Sequence, residues 1–430
     1  MAITGRFVVL TALCAIPLAL APGWATAWLL LGGLAALIIL DLLLAASPRG
    51  VAVQRTPPAS VRLGQPASST LTVRNASRRR LRATLRDAWP PSAGAENNRH
   101  SLSVRPGERR RFSTPMLPTR RGDRIAAAVT IRSFGPMRLA ARQASVKVPA
   151  RLRVLPPFTS RRHLPSKLAR LRELDGRTSV MIRGAGTEFD SLRDYVIGDD
   201  VRSIDWRATA RRQHVVVRTW RPERDRRVLI VVDTSRTSAG RVEGEPRLDA
   251  SIDAALLLSA LASKAGDRVE MIAIDRRVRA RVQGATGNDL LPSMVNALAP
   301  IEPDLIEADW STIASTITSS MNQRAFVVLL TPLESAAVID GLLPVARQLS
   351  ARHTVAVASV ADPRIAEIQS QRDTLDETYA AASAERAALD RAAVTAALKN
   401  DGFEVIDESP DELPPKLADL YLALKAAGRL

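Results

Sequence analysis

The sequence predicts a multidomain protein with an N-terminal transmembrane α-hairpin over residues 1–48 and an all-β sandwich over 49–157. A charged segment over 158–226 and a Rossmann-like α/β domain over 227–430 complete it. Three observations predict this organisation. From Phe7 to Ala46 the only charged residue is Asp41. From Val51 to Leu155 short alternating runs recur between turn residues, with no helical periodicity. From Arg227 onward, apolar runs of strand length alternate with helical patterns.

In the hairpin, Phe7–Ala21 is apolar, Pro22-Gly23 is a turn signal and Trp24–Ala46 is apolar again. The second run reaches about 34 Å as a helix and spans a bilayer; the first reaches about 22 Å and must sit shallowly. Arg6 precedes the first run, and Arg49 and Arg55 follow the second. The positive-inside rule then puts both ends on the cytoplasmic side of the membrane. Phe7–Leu20 also fits a signal-peptide core, with Ala25-Thr26-Ala27 as a cleavage site. Either reading keeps the globular part in the cytosol. Asp41 lies about two turns from Arg49, which suggests a hydrated carboxylate near the interface.

The β-segment shows Ser69-Thr70-Leu71-Thr72-Val73, Ala126–Ile131 and Ser145-Val146-Lys147-Val148 between turn residues such as Pro90-Pro91, Pro106-Gly107 and Gly135-Pro136. Strands at such spacing predict an antiparallel sandwich of the immunoglobulin-like kind, closed by Pro156-Pro157. Domains of this type bind or space.

The net charge of +17 is unevenly spread. Arg49 to Arg227 holds 40 basic against 14 acidic residues, whereas Val228 to Leu430 holds 20 against 29. Aromatics are only 4% of the chain, too few to supply base-stacking platforms, so nucleic acid is not an expected partner. Anionic lipid headgroups suit the basic part better. The single Cys14 excludes a disulfide scaffold and a cysteine metal site.

Residues 183–221 read RGAGTEFDSLRDYVIGDDVRSIDWRATARRQHVVVRTWR. Acids and bases alternate here: Asp194, Asp199, Asp200 and Asp205 against Arg193, Arg202, Arg207, Arg211 and Arg212. Arginine pairs bidentately with carboxylates, so an internal ion-pair lock against the following domain is one reading. A partner-docking surface is the second, and paired carboxylates for a metal-dependent hydrolase the third. Gly186, Glu188-Phe189, Leu192-Arg193-Asp194-Tyr195, Gly198-Asp199-Asp200, Arg202-Ser203-Ile204-Asp205-Trp206 and Ala210-Arg211 together resemble the signature of the bacterial DUF58 family. Arg120-Arg121-Gly122, Phe134-Gly135-Pro136 and Tyr421-Leu422-Ala423-Leu424-Lys425 extend the resemblance.

In the last domain, Val228–Val232 reads as a buried parallel strand ending in Asp233. A helix follows over Leu248–Ala265, with further strands at Val269–Ile274, Phe326–Leu330, Thr354–Val360 and Glu404–Ile406, and a long alanine-rich helix over Ile365–Lys399. Ligand sites in such sheets lie at the C-terminal strand ends, where Asp233 stands. Asp233-Thr234-Ser235-Arg236-Thr237 resembles the metal-ion-dependent adhesion motif of von Willebrand factor A (vWA) domains. One carboxylate and two hydroxyls, Asp233, Ser235 and Thr237, could then share Mg²⁺, with Thr286 as the distant hydroxyl ligand. After the strand ending in Leu330, where vWA domains carry Thr-Asp, this chain has Thr331-Pro332, and Glu334 is the acid that could compensate. The resemblance implies an adaptor that partners a MoxR-type AAA+ ATPase. No Gly-x-x-x-x-Gly-Lys-Ser/Thr loop occurs, so the ATPase is a separate protein. Four histidines and no Gly-x-Ser-x-Gly elbow argue against an enzyme. A purely structural envelope protein is a further alternative.

Overall fold

The computed structural model describes residues 2–56, 58–181, 188–221 and 226–430. The chain divides into two compact units, Met1–Pro157 and Phe158–Leu430. The division falls just after Pro156-Pro157. The apolar hairpin and the β-sheets form one unit rather than two.

In the first unit the apolar runs form a broken helix, Gly5–Leu13 and Ala15–Leu20, and a continuous one, Trp24–Leu44. Only the second is long and apolar enough to cross a membrane. Two sheets follow. A three-stranded sheet pairs Val51–Thr56 and Arg109–Met116 on either side of Ala67–Asn75. A six-stranded sheet is built on the long pair Gly122–Phe134 and Ala140–Leu155. Leu71 and Val73 of the first sheet meet Leu85, Val104 and Ile131 of the second in a shared core. Alternation of apolar with polar residues along each strand produces this inner face.

Both ends of the hairpin are tied to this β-unit. Ala2 and Ile3 pair with Ala141 and Ala140 as an added edge strand. The Thr4 hydroxyl donates to the carbonyls of Arg138 (2.7 Å) and Leu139 (2.9 Å). Asp41, expected to be hydrated, is instead fully buried and accepts backbone N–H bonds from Met137 (2.9 Å), Leu139 (2.7 Å) and Ala140 (3.2 Å). Gly135 permits the approach, because a Cβ there would lie 2.1 Å from Asp41 Oδ1.

The second unit holds a six-stranded sheet. Its strands are β1 (Arg227–Asp233), β2 (Arg268–Ile274), β3 (Val278–Val282), β4 (Phe326–Leu330), β5 (Thr354–Val360) and β6 (Glu404–Glu408). The spatial order is β3-β2-β1-β4-β5-β6, parallel throughout except for the antiparallel edge strand β3. Leu229, Val231, Val327, Leu329, Val355 and Val357 point into one core with Trp310, Ile313 and Leu398. The intervening residues face the opposite side, where the helices Arg247–Lys264 and Leu413–Ala426 contact the strands. Burial on both faces explains the unbroken apolar runs. The alanine-rich stretch is not one helix but two, Arg364–Ser370 and Leu375–Asn400. A capping box, with the Thr374 side chain accepting from Glu377 and Glu377 reaching back, starts the second.

Candidate functional site

The strand order reverses between β1 and β4, and Asp233 ends β1 at that point. Crevices at such switch points receive ligands because the loops from the two strands diverge there. The loop after β1 turns into a short 3₁₀ segment, Arg236–Ala239, and the loop after β4 carries Thr331 and Pro332. Between them lies a cleft of ≈ 290 Å³ lined by Asp233, Ser235, Thr237, Thr331, Trp310 and Asp340, among others. Gly341 lets one wall close, since a Cβ there would meet Trp310 Cδ1 at 2.3 Å.

Three side chains from these two loops, Ser235, Thr237 and Thr331, gather at Asp233. Its Oδ1 accepts from Ser235 N (2.8 Å), and its Oδ2 accepts from the hydroxyls of Thr331 (2.7 Å) and Thr237 (3.1 Å). The Ser235 and Thr237 hydroxyls are 3.1 Å apart. All four residues are buried. Burial pushes the Asp233 carboxyl up from its ordinary pKa, while the hydrogen bonds from Ser235, Thr331 and Thr237 act the other way. The donor set is one carboxylate and three hydroxyls, all hard oxygens, which suits a hard divalent cation held with few protein charges. No group of three or more His, Cys, Asp or Glu gathers as a metal cluster among the described residues.

Two expectations are corrected here. Thr286 is not part of the cleft. β3 is antiparallel, with Ile274 opposite Val278 and Met271 opposite Val282, so the chain leaves the C-terminal end of the sheet before it reaches Thr286. Thr331 supplies a hydroxyl instead. Glu334 does not join Asp233 either: with Glu307 it holds the Arg236 guanidinium, at 3.1 and 2.7 Å respectively. Thr331 stood in the sequence as half of a broken Thr-Asp pair, and only the register of β4 against β1 shows its hydroxyl reaching Asp233.

The signature segment forms a separate two-stranded sheet, Glu188–Asp194 with Val216–Arg221, bridged by turns and a short helix, Trp206–Arg212. Gly186 lies outside the described residues. The charges pair within the segment. Arg193 donates to Asp199 (2.5 Å), Asp194 meets His214 (2.9 Å), and Arg218 donates to Asp205 (2.8 Å). Asp200 accepts from Arg202 N, and Asp205 caps the helix by accepting from Arg207 N and Ala208 N, each at 3.0 Å. The Arg193 and Arg218 guanidiniums hold Asp199 and Asp205 below the usual carboxylate range. Tyr195 donates its backbone N–H to Val215, and Arg202 and Arg211 are exposed. The apolar residues Val196, Val201 and Trp206 are also exposed, and Ile197 is 96% exposed.

Asp205→Ala is therefore expected to unfasten Trp206–Arg212, because it removes the helix cap and the Arg218 anchor together. Amide hydrogen exchange should accelerate across residues 206–212 and 216–218. Unchanged protection there would show that Asp205 does not order the segment.

The model of "Protein of unknown function DUF58" matches residues 191–392. The chain carries a DUF58 region over just under half of its length. This region starts within the two-stranded sheet and ends within the long helix, so it includes most of the charged hairpin and the residues that line the Asp233 cleft. Uncharacterised proteins of Mycobacterium tuberculosis and Mycobacterium bovis are 28% identical over 204 residues, which is 47% of this chain and 63% of theirs. The match thus spans under two thirds of those relatives. Among solved structures, the ASH/PapD-like domain of human CEP192 aligns with 25% of this chain and 88% of its own, at 13% identity and TM-score 0.19. A FixG-related protein from Vibrio parahaemolyticus aligns with 24% and 96%, at 12% identity and TM-score 0.17. Scores this low assign no fold to this chain.

Proposed function

We propose that this protein is a membrane-tethered, cytosol-facing adaptor with a vWA-like module, and that it works by binding rather than by catalysis. The observation that carries the reading is the Asp233 cleft. A buried carboxylate with three hydroxyl neighbours at a strand-order reversal is built to present oxygens to a ligand. Asp233, Ser235, Thr237 and Thr331 would hold Mg²⁺, which would supply positive charge for one carboxylate of the partner. The β-unit is proposed as an immunoglobulin-like binding or spacing domain.

The partner, by the family resemblance, is a MoxR-type AAA+ ATPase. The charged hairpin supplies a docking face for it. Its ion pairs are satisfied internally, while Val196, Ile197, Val201 and Trp206 are exposed among the described residues. Asp199 and Asp205, each held ionised by an arginine, are poorly suited to trade protons as a hydrolase pair would.

The test is capture of the ATPase by the full chain from gently solubilised membranes. Ile197→Ser with Trp206→Ser is expected to reduce capture about tenfold or more, with melting unchanged, as loss of exposed apolar anchors predicts. Capture equal to wild type would remove the hairpin as the docking face.

A further inference from the structure

We infer that the foot of the apolar hairpin is a binding surface for anionic phospholipid headgroups, formed by Arg6, Arg49, Arg79 and Arg138. The inference rests on the hairpin being embedded in a membrane. It adds a specific lipid class and the residues that select it.

The clamp at the foot of the hairpin fixes where these arginines lie. Arg6 is two residues beyond Thr4, whose N–H donates to Leu139 O (3.1 Å). Arg138 lends its own carbonyl to the Thr4 hydroxyl, on the loop that also holds Asp41. Arg79 donates to the Leu43 carbonyl, one of the acceptors left over at the end of helix Trp24–Leu44. Arg49 sits in the 3₁₀ turn Pro48–Gly50 that follows, and Gly50 O accepts Ala76 N (2.9 Å), which draws the Arg79 loop alongside. All four residues are thus tied to the level where the chain leaves the apolar helices.

All four are exposed. Among the described residues no carboxylate pairs with any of them. Some other arginines of this unit do have carboxylate partners: Arg55 pairs with Asp87, Arg110 with Glu108, and Arg151 and Arg153 with Asp123. The single acid of the hairpin, Asp41, is consumed by three backbone N–H groups and faces the β-unit. The unit as a whole carries 24 Lys and Arg against 5 Asp and Glu, so no nearby acidic surface can neutralise the ring. Beside it, Val8, Val9, Leu40, Leu43 and Leu44 are exposed large apolar side chains. An apolar surface that gives way within one turn to unpaired guanidiniums matches acyl chains giving way to phosphates, which guanidinium binds in bidentate fashion.

The experiment uses the full chain in nanodiscs of phosphatidylcholine with and without phosphatidylglycerol, and measures lipid selectivity next to the protein with spin-labelled lipids. Wild type is expected to prefer phosphatidylglycerol, and added salt should weaken that preference. Arg79→Gln and Arg138→Gln should each lower it by up to about fivefold, equivalent to about 1 kcal/mol per arginine. Replacing all four with Gln should abolish it, while replacing all four with Lys should retain it and so guard against misfolding. No preference in wild type, or an undiminished preference in the four-Gln variant, would overturn the inference. Failure of wild type to enter even pure phosphatidylcholine nanodiscs would instead overturn the membrane reading itself, and the inference with it.

Discussion

Asp41→Ala is expected to be among the most destabilising single changes in the N-terminal unit. Three backbone N–H groups at Met137, Leu139 and Ala140 end on this one buried carboxylate. Removing it strands all three in a site closed to water, at about 1–3 kcal/mol for each unsatisfied donor. A total of roughly 3–9 kcal/mol follows, a large share of the stability of most domains. Asp41→Asn should recover little, because its amide nitrogen would face donors where Oδ1 or Oδ2 now accepts. Gly135→Ala should weaken the same contact by a different route, since its Cβ would fall on the Asp41 carboxylate. Thermal unfolding of the full chain in neutral detergent, with hydrogen exchange at residues 137–140, measures the effect. Wild-type melting and protection in Asp41→Ala would show that the helix is not locked to the β-unit.

That lock marks where the sequence stops being informative. Asp41 stands alone among apolar residues, and its neighbours in sequence give it only Arg49 as company. Its actual partners are about a hundred residues away and are backbone groups, which carry no side-chain signal. The same holds for Ala2–Ile3, too short to read as a strand and formed only because the edge at Ala140–Ala141 is there to receive it. By contrast the parallel strands were legible, because burial on both faces demands continuous apolar runs whatever their neighbours. The edge strand Val278–Val282, with Arg279 and Arg281 on it, lacks such a run and was missed. Missing it misplaced Thr286. Within the candidate site, Asp233, Ser235 and Thr237 came from resemblance to the adhesion motif, whose residues one turn brings together. Thr331 and the Glu334–Arg236–Glu307 bridge depend on which strands are neighbours. Long-range register of this kind is a property of the fold, not of any local pattern.

The other large effect is expected at Asp233. Mg²⁺ holds its water firmly and needs near-octahedral oxygen geometry, so a site with one protein charge should bind it weakly by itself. A carboxylate from a partner would add the second charge, and linkage then makes metal and partner each strengthen the binding of the other. Little Mg²⁺ binding is therefore expected for the full chain without its partner, and Mg²⁺-dependent capture with it. Asp233→Ala should reduce capture at least about a hundredfold, close to 2.7 kcal/mol, within the range seen when one member of a desolvated charge contact is truncated. Thr331→Val, which removes one hydroxyl 2.7 Å from the carboxylate but keeps its charge, should cost less, about tenfold. Because Asp233 also accepts hydrogen bonds that order the Ser235–Thr237 turn, melting of each variant must be recorded beside capture. Asp233→Asn is the sharper probe, as its remaining carbonyl oxygen keeps part of that bonding while the charge is lost. Capture that persists undiminished in chelator would leave Asp233 as the cap of a strand-to-helix turn and nothing more.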